Sequence, residues 1–216
     1  MAEIKLCGVD EAGRGSVLGP LVISAVLASP PQARSLRSLG VADSKTLTPL
    51  RRFELYRKLS EMLVFKTVVL EPWSVDSSLR VNGGEGLNTL EYRWIARLVD
   101  ALKPDRVFVD SPDRNVAKAR RKILSYVKHR AEIRCMVKGD RRNVLVAAAS
   151  IIAKVERDRH VKRLRELYGD FGSGYPSDPR TRRWLADKLS GNNLPAQVRR
   201  GWKTLERLKQ SRLDDF

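Results

Sequence analysis

The chain of 216 residues contains 42 lysines and arginines against 25 aspartates and glutamates, which gives a net charge of +17 at pH 7. Its hydrophobic share of 42% excludes an intrinsically disordered chain and is typical of a globular protein. The excess of positive charge predicts a polyanionic partner, of which nucleic acid is the commonest. A solvated basic surface that serves solubility alone is the alternative.

The sequence shows no signal-peptide pattern and no apolar run as long as a membrane span. Its two cysteines, Cys7 and Cys135, lie in apolar runs and lack the spacing of metal ligands. We therefore expect both to be reduced core residues in a cytoplasmic protein.

Apolar runs, residue alternation and helical spacing predict the secondary structure in chain order. The predicted strands cover residues 3–10, 20–28, 65–70, 107–109 and 132–137. The predicted helices cover residues 49–63, 88–102, 116–129, 144–168, 181–189 and 196–209. We expect residues 29–45 to form a loop with one basic turn, and residues 72–87 to be irregular.

The order of these elements predicts an α/β fold. Strands alternate with helices from residue 49 onward, which favours parallel pairing, whereas the first two strands are joined by a turn and should be antiparallel. We therefore expect a mixed five-stranded sheet that is flanked by helices. A Gly/Pro/Ser-rich loop at 169–181 then divides a domain at 1–170 from a C-terminal helical subdomain at 171–216.

Four acids follow apolar strands or precede a helix, namely Asp10, Glu11, Asp110 and Asp140. Ligand crevices form at strand ends in α/β sheets, and clustered carboxylates repel each other unless cations neutralise them. Oxygen ligands select Mg²⁺ or Mn²⁺. Two such ions roughly 3.5–4 Å apart can stabilise both the attacking water and the leaving oxygen when a phosphodiester is hydrolysed. Each acid alone could instead be a turn residue, and Asp140 could cap the following helix.

The stretch from Gly8 to Pro20 reads GVDEAGRGSVLGP and is expected to place metal and phosphate side by side. Neighbours in a regular strand point to opposite faces, so we expect the strand to end or bulge at Asp10. In the long helix, three small residues, Ala147 to Ala149, should let it lie close to the sheet. Lys154 could face a phosphate or be solvated, and Arg157 and Asp158 are interpreted as surface or packing charges.

Several segments together resemble the type 2 ribonucleases H (ribonuclease HII), the archaeal branch most closely. They are GVDEAGRGSVLGPLV, ADSKTLTP, VFVDSP, KGDRRNVLVAAASIIAKVERD and GDFGSGYPSDPRT, in the family's order. The resemblance implies a ribonuclease H-like sheet with a C-terminal helical lobe. It also implies Mg²⁺- or Mn²⁺-dependent hydrolysis of RNA paired with DNA, including single ribonucleotides embedded in duplex DNA, with cleavage 5′ of the ribonucleotide that leaves a 5′-phosphate and a 3′-hydroxyl.

The resemblance also implies roles for particular residues. The acids Asp10, Glu11, Asp110 and Asp140 match the family's metal ligands. Gly13, Arg14 and Gly15 match the turn that contacts the ribose 2′-hydroxyl, Tyr175 matches a tyrosine that contacts the ribonucleotide, and Lys45 matches a phosphate contact. The segment Asn143-Val144-Leu145 departs from the Tyr-Pro-Val that is frequent in the family, which leaves the start of the helix open.

The last residues resemble a peptide that binds sliding clamps, with Gln210, Leu213 and Phe216 at its spacing. Leu213 and Phe216 would lie on one side of a 3₁₀ turn and enter an apolar groove. A frayed helix end is the alternative. The protein itself is expected to be a monomer.

Two other functions remain open at this point. One is a nuclease or strand-transfer enzyme of the same fold that acts on DNA junctions, and the other is a non-catalytic basic RNA-binding protein. Metal preference, and preference between long hybrids and single ribonucleotides, also remain open.

Overall fold

The computed structural model describes residues 3–41 and 47–213, without the side chains of 209 and 211–213. Within these residues, five strands form one sheet in the order β3-β2-β1-β4-β5. They are β1 (Leu6–Ala12), β2 (Leu21–Ala28), β3 (Val64–Leu70), β4 (Arg106–Asp110) and β5 (Glu132–Met136). Strand β1 pairs antiparallel with β2 and parallel with β4, and β4 pairs parallel with β5, which confirms the predicted mixed sheet.

Helices occupy most of the remaining described chain. They are α1 (Pro30–Ser38), α2 (Pro49–Met62), α3 (Pro72–Ser78), α4 (Leu87–Leu102), α5 (Val116–Leu124), α6 (Val144–Tyr168), α7 (Pro179–Ser190) and α8 (Lys203–Leu213). Short 3₁₀ turns lie at Arg80–Asn82 and Gly139–Arg141. Helix α5 ends earlier than predicted, and α8 begins later.

Two irregular segments were predicted wrongly, because both contain helices. Helix α1 lies where a loop was expected; its N-terminus is a capping box, in which Ser29 Oγ accepts from the N–H of Gln32 and the Gln32 side chain accepts from the N–H of Ser29. Helix α3 lies in the segment 72–87 and starts with Pro72, which suits the first turn of a helix. Such short helices leave little periodicity to detect.

The chain forms two compact units, which we call the first and the second unit. The first comprises Met1–Ala12, Val22–Val68 and Asn88–Glu156, and the second comprises Gly13–Leu21, Val69–Leu87 and Arg157–Phe216. The predicted domain boundary at residue 170 is a division along the sequence and stays a prediction. The boundaries between the units fall within β3 and within α6, after residues 68 and 156.

Each unit has its own apolar core. In the first unit, α6 packs its small residues Ala147, Ala148 and Ala149, all fully buried, into a cluster with side chains of β2, α1 and α2. The helix lies so near the sheet that a Cβ atom on Gly8 in β1 would be 2.2 Å from the carbonyl carbon of Leu145. The predicted close approach of this helix is therefore confirmed.

The core of the second unit joins the turn after β1 to the C-terminal helices. It contains Val17, Leu18, Val161, Phe171, Leu185, Val198 and Leu205. Phe171 packs edge-on against Trp184, with ring centroids 5.7 Å apart. Among the described helices, none is long and apolar enough to cross a membrane.

Candidate active site

Three of the four predicted acids lie at one edge of the sheet in the first unit. Val9 pairs with Val109 in the parallel strands β1 and β4, so Asp10 and Asp110 follow at the same level. Asp110 pairs with Met136, the last residue of β5, and Asp140 follows β5 in the 3₁₀ turn. The carboxyl ends of adjacent parallel strands thus collect acids that are far apart in sequence.

Strand β1 does not end at Asp10, which corrects the prediction of a strand end or bulge there. Its pairing with β2 continues regularly through Asp10↔Ser24 and Glu11↔Ile23 to Ala12. In a regular pleat, Asp10 and Glu11 project to opposite faces of the sheet. Asp10 is only 6% exposed and Glu11 is half-buried, and the N–H of Glu11 donates to Asp10 Oδ1 at 2.7 Å.

Negative charge is concentrated around Asp10. Burial raises the pKa of Asp10 well above its usual value, and the neighbouring carboxylates of Glu11 and Asp110 raise it further. A hydrogen bond with the buried Ser150 side chain acts in the opposite direction. At this position the ionised carboxylate of Asp10 is disfavoured unless a positive charge lies nearby. A bound cation would supply that charge.

The hydrogen-bond partner of Asp10 on helix α6 is Ser150, in the first half of that helix. Ser150 is 1% exposed and receives a hydrogen bond from Lys154 Nζ, one turn further along the helix, at 2.9 Å. Lys154 is half-buried, and its ammonium donates to this hydroxyl. The sequence did not single out Ser150, since a serine in an apolar helix carries no distinctive pattern.

Asp140 is positioned by a tight turn. Lys138 adopts a left-handed conformation (φ 55°), and the N–H of Gly139 donates to Asp110 Oδ1 at 3.0 Å. Asp140 itself is 3% exposed. Its carboxylate is not the cap of α6, because Asn143 Oδ1 accepts from the N–H groups of Leu145 and Val146 at 2.9 and 3.3 Å.

The departure at Asn143-Val144-Leu145 is therefore structurally explained. An asparagine cap replaces the family's proline as the signal that starts the helix, and α6 begins at Val144 as predicted. Asn143, and not Asp140, caps the helix, which argues against the cap as an interpretation of Asp140.

The donor chemistry and charge of these acids fit a hard divalent cation rather than zinc. In the conformation of residues 3–41 and 47–213, however, no three His, Cys, Asp or Glu side chains stand close enough together to hold a metal ion. The regular pleat at Asp10 and Glu11 is one reason, because it separates their carboxylates. The acids are thus brought to one edge of the sheet without forming a complete ligand set.

The turn that follows β1 belongs to the second unit and is tightly fixed. Gly13 has φ 84°, and a Cβ atom there would lie 2.5 Å from the carbonyl oxygen of Pro20, so only glycine fits. Ser16 Oγ donates to the Gly13 carbonyl at 2.8 Å. Arg14 is half-buried and Gly15 is exposed, which leaves the middle of the turn accessible.

A buried arginine near the C-terminus holds the same turn. Arg199 is 0% exposed, and it donates from Nη1 to the Arg14 carbonyl at 2.9 Å and from Nε to the Gly19 carbonyl at 3.1 Å. Trp202 lies under its guanidinium, 5.0 Å from it. Sequence reasoning missed Arg199, because one arginine among many gives no signal of burial.

The loop that contains Tyr175 meets this turn within the second unit. The carbonyl of Gly174 accepts from the N–H groups of Val17 and Leu18 at 2.9 and 3.2 Å. The next residue, Tyr175, is half-buried, and the guanidinium of Arg157 lies 4.6 Å from the centre of its ring. The loop of Tyr175 and the turn of Gly13 thus lie side by side within the second unit.

Other predicted residues lie in less informative places. Lys45 and Phe216 fall outside the described residues. Gln210 is exposed on α8, and Leu213 is the last residue of that helix, whose side chain is also outside the description. Leu213 lies in an α-helix, whereas a 3₁₀ turn was predicted for Leu213 and Phe216.

The family model for ribonuclease HII matches residues 7–205. Ribonuclease HII of Pyrococcus abyssi is 40% identical over 212 residues, covering 96% of this chain and 92% of the relative. The enzyme of Archaeoglobus fulgidus is 41% identical, covering 97% and 98%, and that of Caldivirga maquilingensis is 45% identical, covering 95% of both.

Solved structures agree with these relatives. The crystal structure of ribonuclease H2 from Pyrococcus horikoshii OT3 superposes with a TM-score of 0.88 at 38% identity, over 96% of this chain and 98% of that one. The Archaeoglobus fulgidus ribonuclease HII, solved in complex with PCNA, also gives 0.88 at 40% identity, over 98% and 100%. Ribonucleases H form a divalent-metal-dependent family. The chain belongs to the ribonuclease HII family and is a ribonuclease H, an endonuclease.

Proposed function

We propose that this enzyme hydrolyses the phosphodiester 5′ of ribonucleotides in RNA/DNA hybrids and of single ribonucleotides embedded in duplex DNA. The products would be a 5′-phosphate on the ribonucleotide and a 3′-hydroxyl upstream. The observation that supports this most is the gathering of Asp10, Asp110 and Asp140 at the carboxyl edge of three adjacent parallel strands.

We infer that Asp10, Glu11, Asp110 and Asp140 hold Mg²⁺ or Mn²⁺. When bound, such ions lower the pKa of an attacking water and stabilise charge on the phosphate oxygens. The protein's own contribution is to hold the carboxylates in place. Ser150 and the N–H of Glu11 donate to Asp10, and the N–H of Gly139 donates to Asp110, so both carboxylates have a fixed orientation.

The ribose would be recognised by the second unit. Gly13, Arg14 and Gly15 would contact the 2′-hydroxyl, mainly through backbone groups, and Tyr175 would contact the same ribonucleotide. A 2′-hydroxyl can both donate and accept hydrogen bonds, and it is the group that separates RNA from DNA. Lys45 would bind backbone phosphate, and the net charge of +17 favours the polyanionic duplex as a whole.

The central test is cleavage of duplex DNA that carries one ribonucleotide, with and without Mg²⁺ or Mn²⁺. Asp10→Asn keeps the side-chain volume but removes a charge from the proposed metal site. We expect its kcat to fall by about a thousandfold or more, with duplex binding retained. The exposed Asp187→Asn on α7 is the matched control and should cleave normally.

Near-normal turnover by Asp10→Asn would contradict the assignment of the acids. Equal cleavage of a duplex made of DNA alone would instead support a junction nuclease of the same fold. Binding without any metal-dependent cleavage would support a basic nucleic-acid-binding protein.

We further propose that the C-terminal residues bind a sliding clamp during DNA replication and ribonucleotide excision repair. The Archaeoglobus fulgidus relative was solved in complex with PCNA, and this chain carries Gln210, Leu213 and Phe216 at the spacing of a clamp-binding peptide. Gln210 is exposed, as a partner contact requires. A monomer acting in the cytoplasm is the simplest form consistent with this role.

A further inference from the structure

Arg157, on α6 in the second unit, is a charged residue whose side chain is buried. It is 5% exposed, and within the described residues its Nε is buried without a hydrogen-bond partner. The carboxylate of Asp158 lies 3.9 Å from Nη1 of Arg157 and is about half exposed, so that ion pair gives little compensation. Burying a guanidinium in this way is costly, which indicates that the side chain has a task beyond packing.

Four contacts of Arg157 involve the segments proposed to recognise ribose. Its guanidinium lies over the Tyr175 ring at 4.6 Å, and its Nη2 donates to the carbonyl of Ser173 at 3.1 Å. A Cβ atom on Gly13 would lie 2.6 Å from Nε and 2.7 Å from Cδ, so the side chain rests directly against the Gly13 backbone. It also flanks Gly174, where a Cβ atom would be 3.4 Å from Nη2.

We propose that Arg157 is the positioning residue for ribonucleotide recognition. By stacking on the ring of Tyr175 while resting against Gly13, it fixes the tyrosine at a set distance from the Gly13-Arg14-Gly15 turn. A 2′-hydroxyl between these two groups would be tested against a preformed site, which avoids the loss of side-chain freedom on binding. This inference rests on the proposed function of the turn and of Tyr175.

The chemistry of arginine suits this task better than that of lysine. A planar guanidinium can stack on a ring and donate sideways to a carbonyl at the same time, whereas an ammonium is a point charge that cannot present a flat face. Arg157→Lys therefore keeps the positive charge but removes the stacking on the Tyr175 ring together with the sideways hydrogen bond to the carbonyl. Arg163→Lys, the same change at an exposed position on the same helix, is the matched control.

The test is a double-mutant cycle between positions 157 and 175, with cleavage of the single-ribonucleotide duplex in Mg²⁺ or Mn²⁺ as the readout. We expect Arg157→Lys to lower kcat by about tenfold with KM within about twofold, because the ribonucleotide still binds but is held less accurately. In a Tyr175→Ala background the same change should cost less than about twofold. In a Tyr175→Phe background, which keeps the ring, the full loss should return.

Equal losses in the wild-type and Tyr175→Ala backgrounds would overturn the proposal, because a purely structural arginine acts independently of the tyrosine. No loss in the wild-type background would also overturn it. Where the buried ammonium of Arg157→Lys prevents folding, as judged by the melting temperature, Arg157→Gln replaces it, since an uncharged side chain removes the cost of burial. We expect Arg157→Gln to give the same pattern of losses in the double-mutant cycle.

The experiment separates this inference from the proposed function. A wild-type enzyme that fails to cut at the ribonucleotide with either metal contradicts the proposed function itself. A wild-type enzyme that cuts, together with an additive cycle, contradicts only the role of Arg157. Arg163→Lys should match the wild type in both kcat and KM.

Discussion

Gly8 in β1 offers a direct test of how α6 is held against the sheet. A Cβ atom on Gly8 would lie 2.2 Å from the carbonyl carbon, 2.3 Å from the carbonyl oxygen and 2.6 Å from the Cβ of Leu145. Real Cβ atoms essentially never approach other atoms closer than 3.0 Å. Because two of the three atoms are main chain at the start of α6, no side-chain rotation can relieve the overlap, and Gly8→Ala must separate helix and strand.

We expect Gly8→Ala to lower the free energy of unfolding by about 3 kcal/mol, at the upper end of the range for overpacked cores. In a protein of this size, the melting temperature should fall by about 6–12 °C. Urea unfolding followed by circular dichroism measures the free energy through its midpoint and slope. Gly15→Ala is the control for stability, since Gly15 has open space around its Cβ position and no positive φ.

A loss below about 0.5 kcal/mol for Gly8→Ala, no more than an ordinary surface substitution, would refute the reasoning. It would mean that the first turn of α6 can move away from β1 without disturbing the core. Equal losses for both glycines would also refute it, because the effect would then belong to glycine replacement in general and not to the close approach.

Two further predictions concern the second unit and the C-terminus. Hydrogen bonds from the N–H groups of Ser173 and then Arg180 lower the pKa of Asp178 to about 2 from 3.8, so its contribution to stability is complete well above pH 3.8 and is lost as the pH falls through 2. The difference in urea midpoint between wild type and Asp178→Ala should therefore be constant at neutral pH and shrink between pH 4 and pH 2; a constant difference at all pH values would contradict it. Deleting residues 210–216 should remove clamp binding in titration calorimetry and leave cleavage unchanged, whereas retained binding would assign the clamp contact elsewhere.

Much of the fold could be read from the sequence because its signals are local. The apolar run of β2, the spacing of α4 and the length of α6 each predict their element without knowledge of the rest of the chain. The alternation of strands and helices after residue 49 likewise predicted the parallel pairing of β4 and β5, whereas the parallel pairing of β1 with β4 was not predicted. The short helices α1 and α3 escaped, because two turns of helix give too few residues for a period to stand out.

The sequence by itself indicated which acids lie near the strand ends and where glycines form a turn, and its charge predicted a polyanionic partner. Only the tertiary structure decided that β1 runs on through Glu11, that Asn143 caps α6 in place of Asp140, and that Arg157 and Arg199 are buried against the turn after β1. The physical reason is that burial, capping partners and cation–π contacts depend on residues far apart along the chain. Within the described residues, burial in the folded chain distinguishes Arg157 and Arg199 from arginines that lie in solvent, such as Arg163.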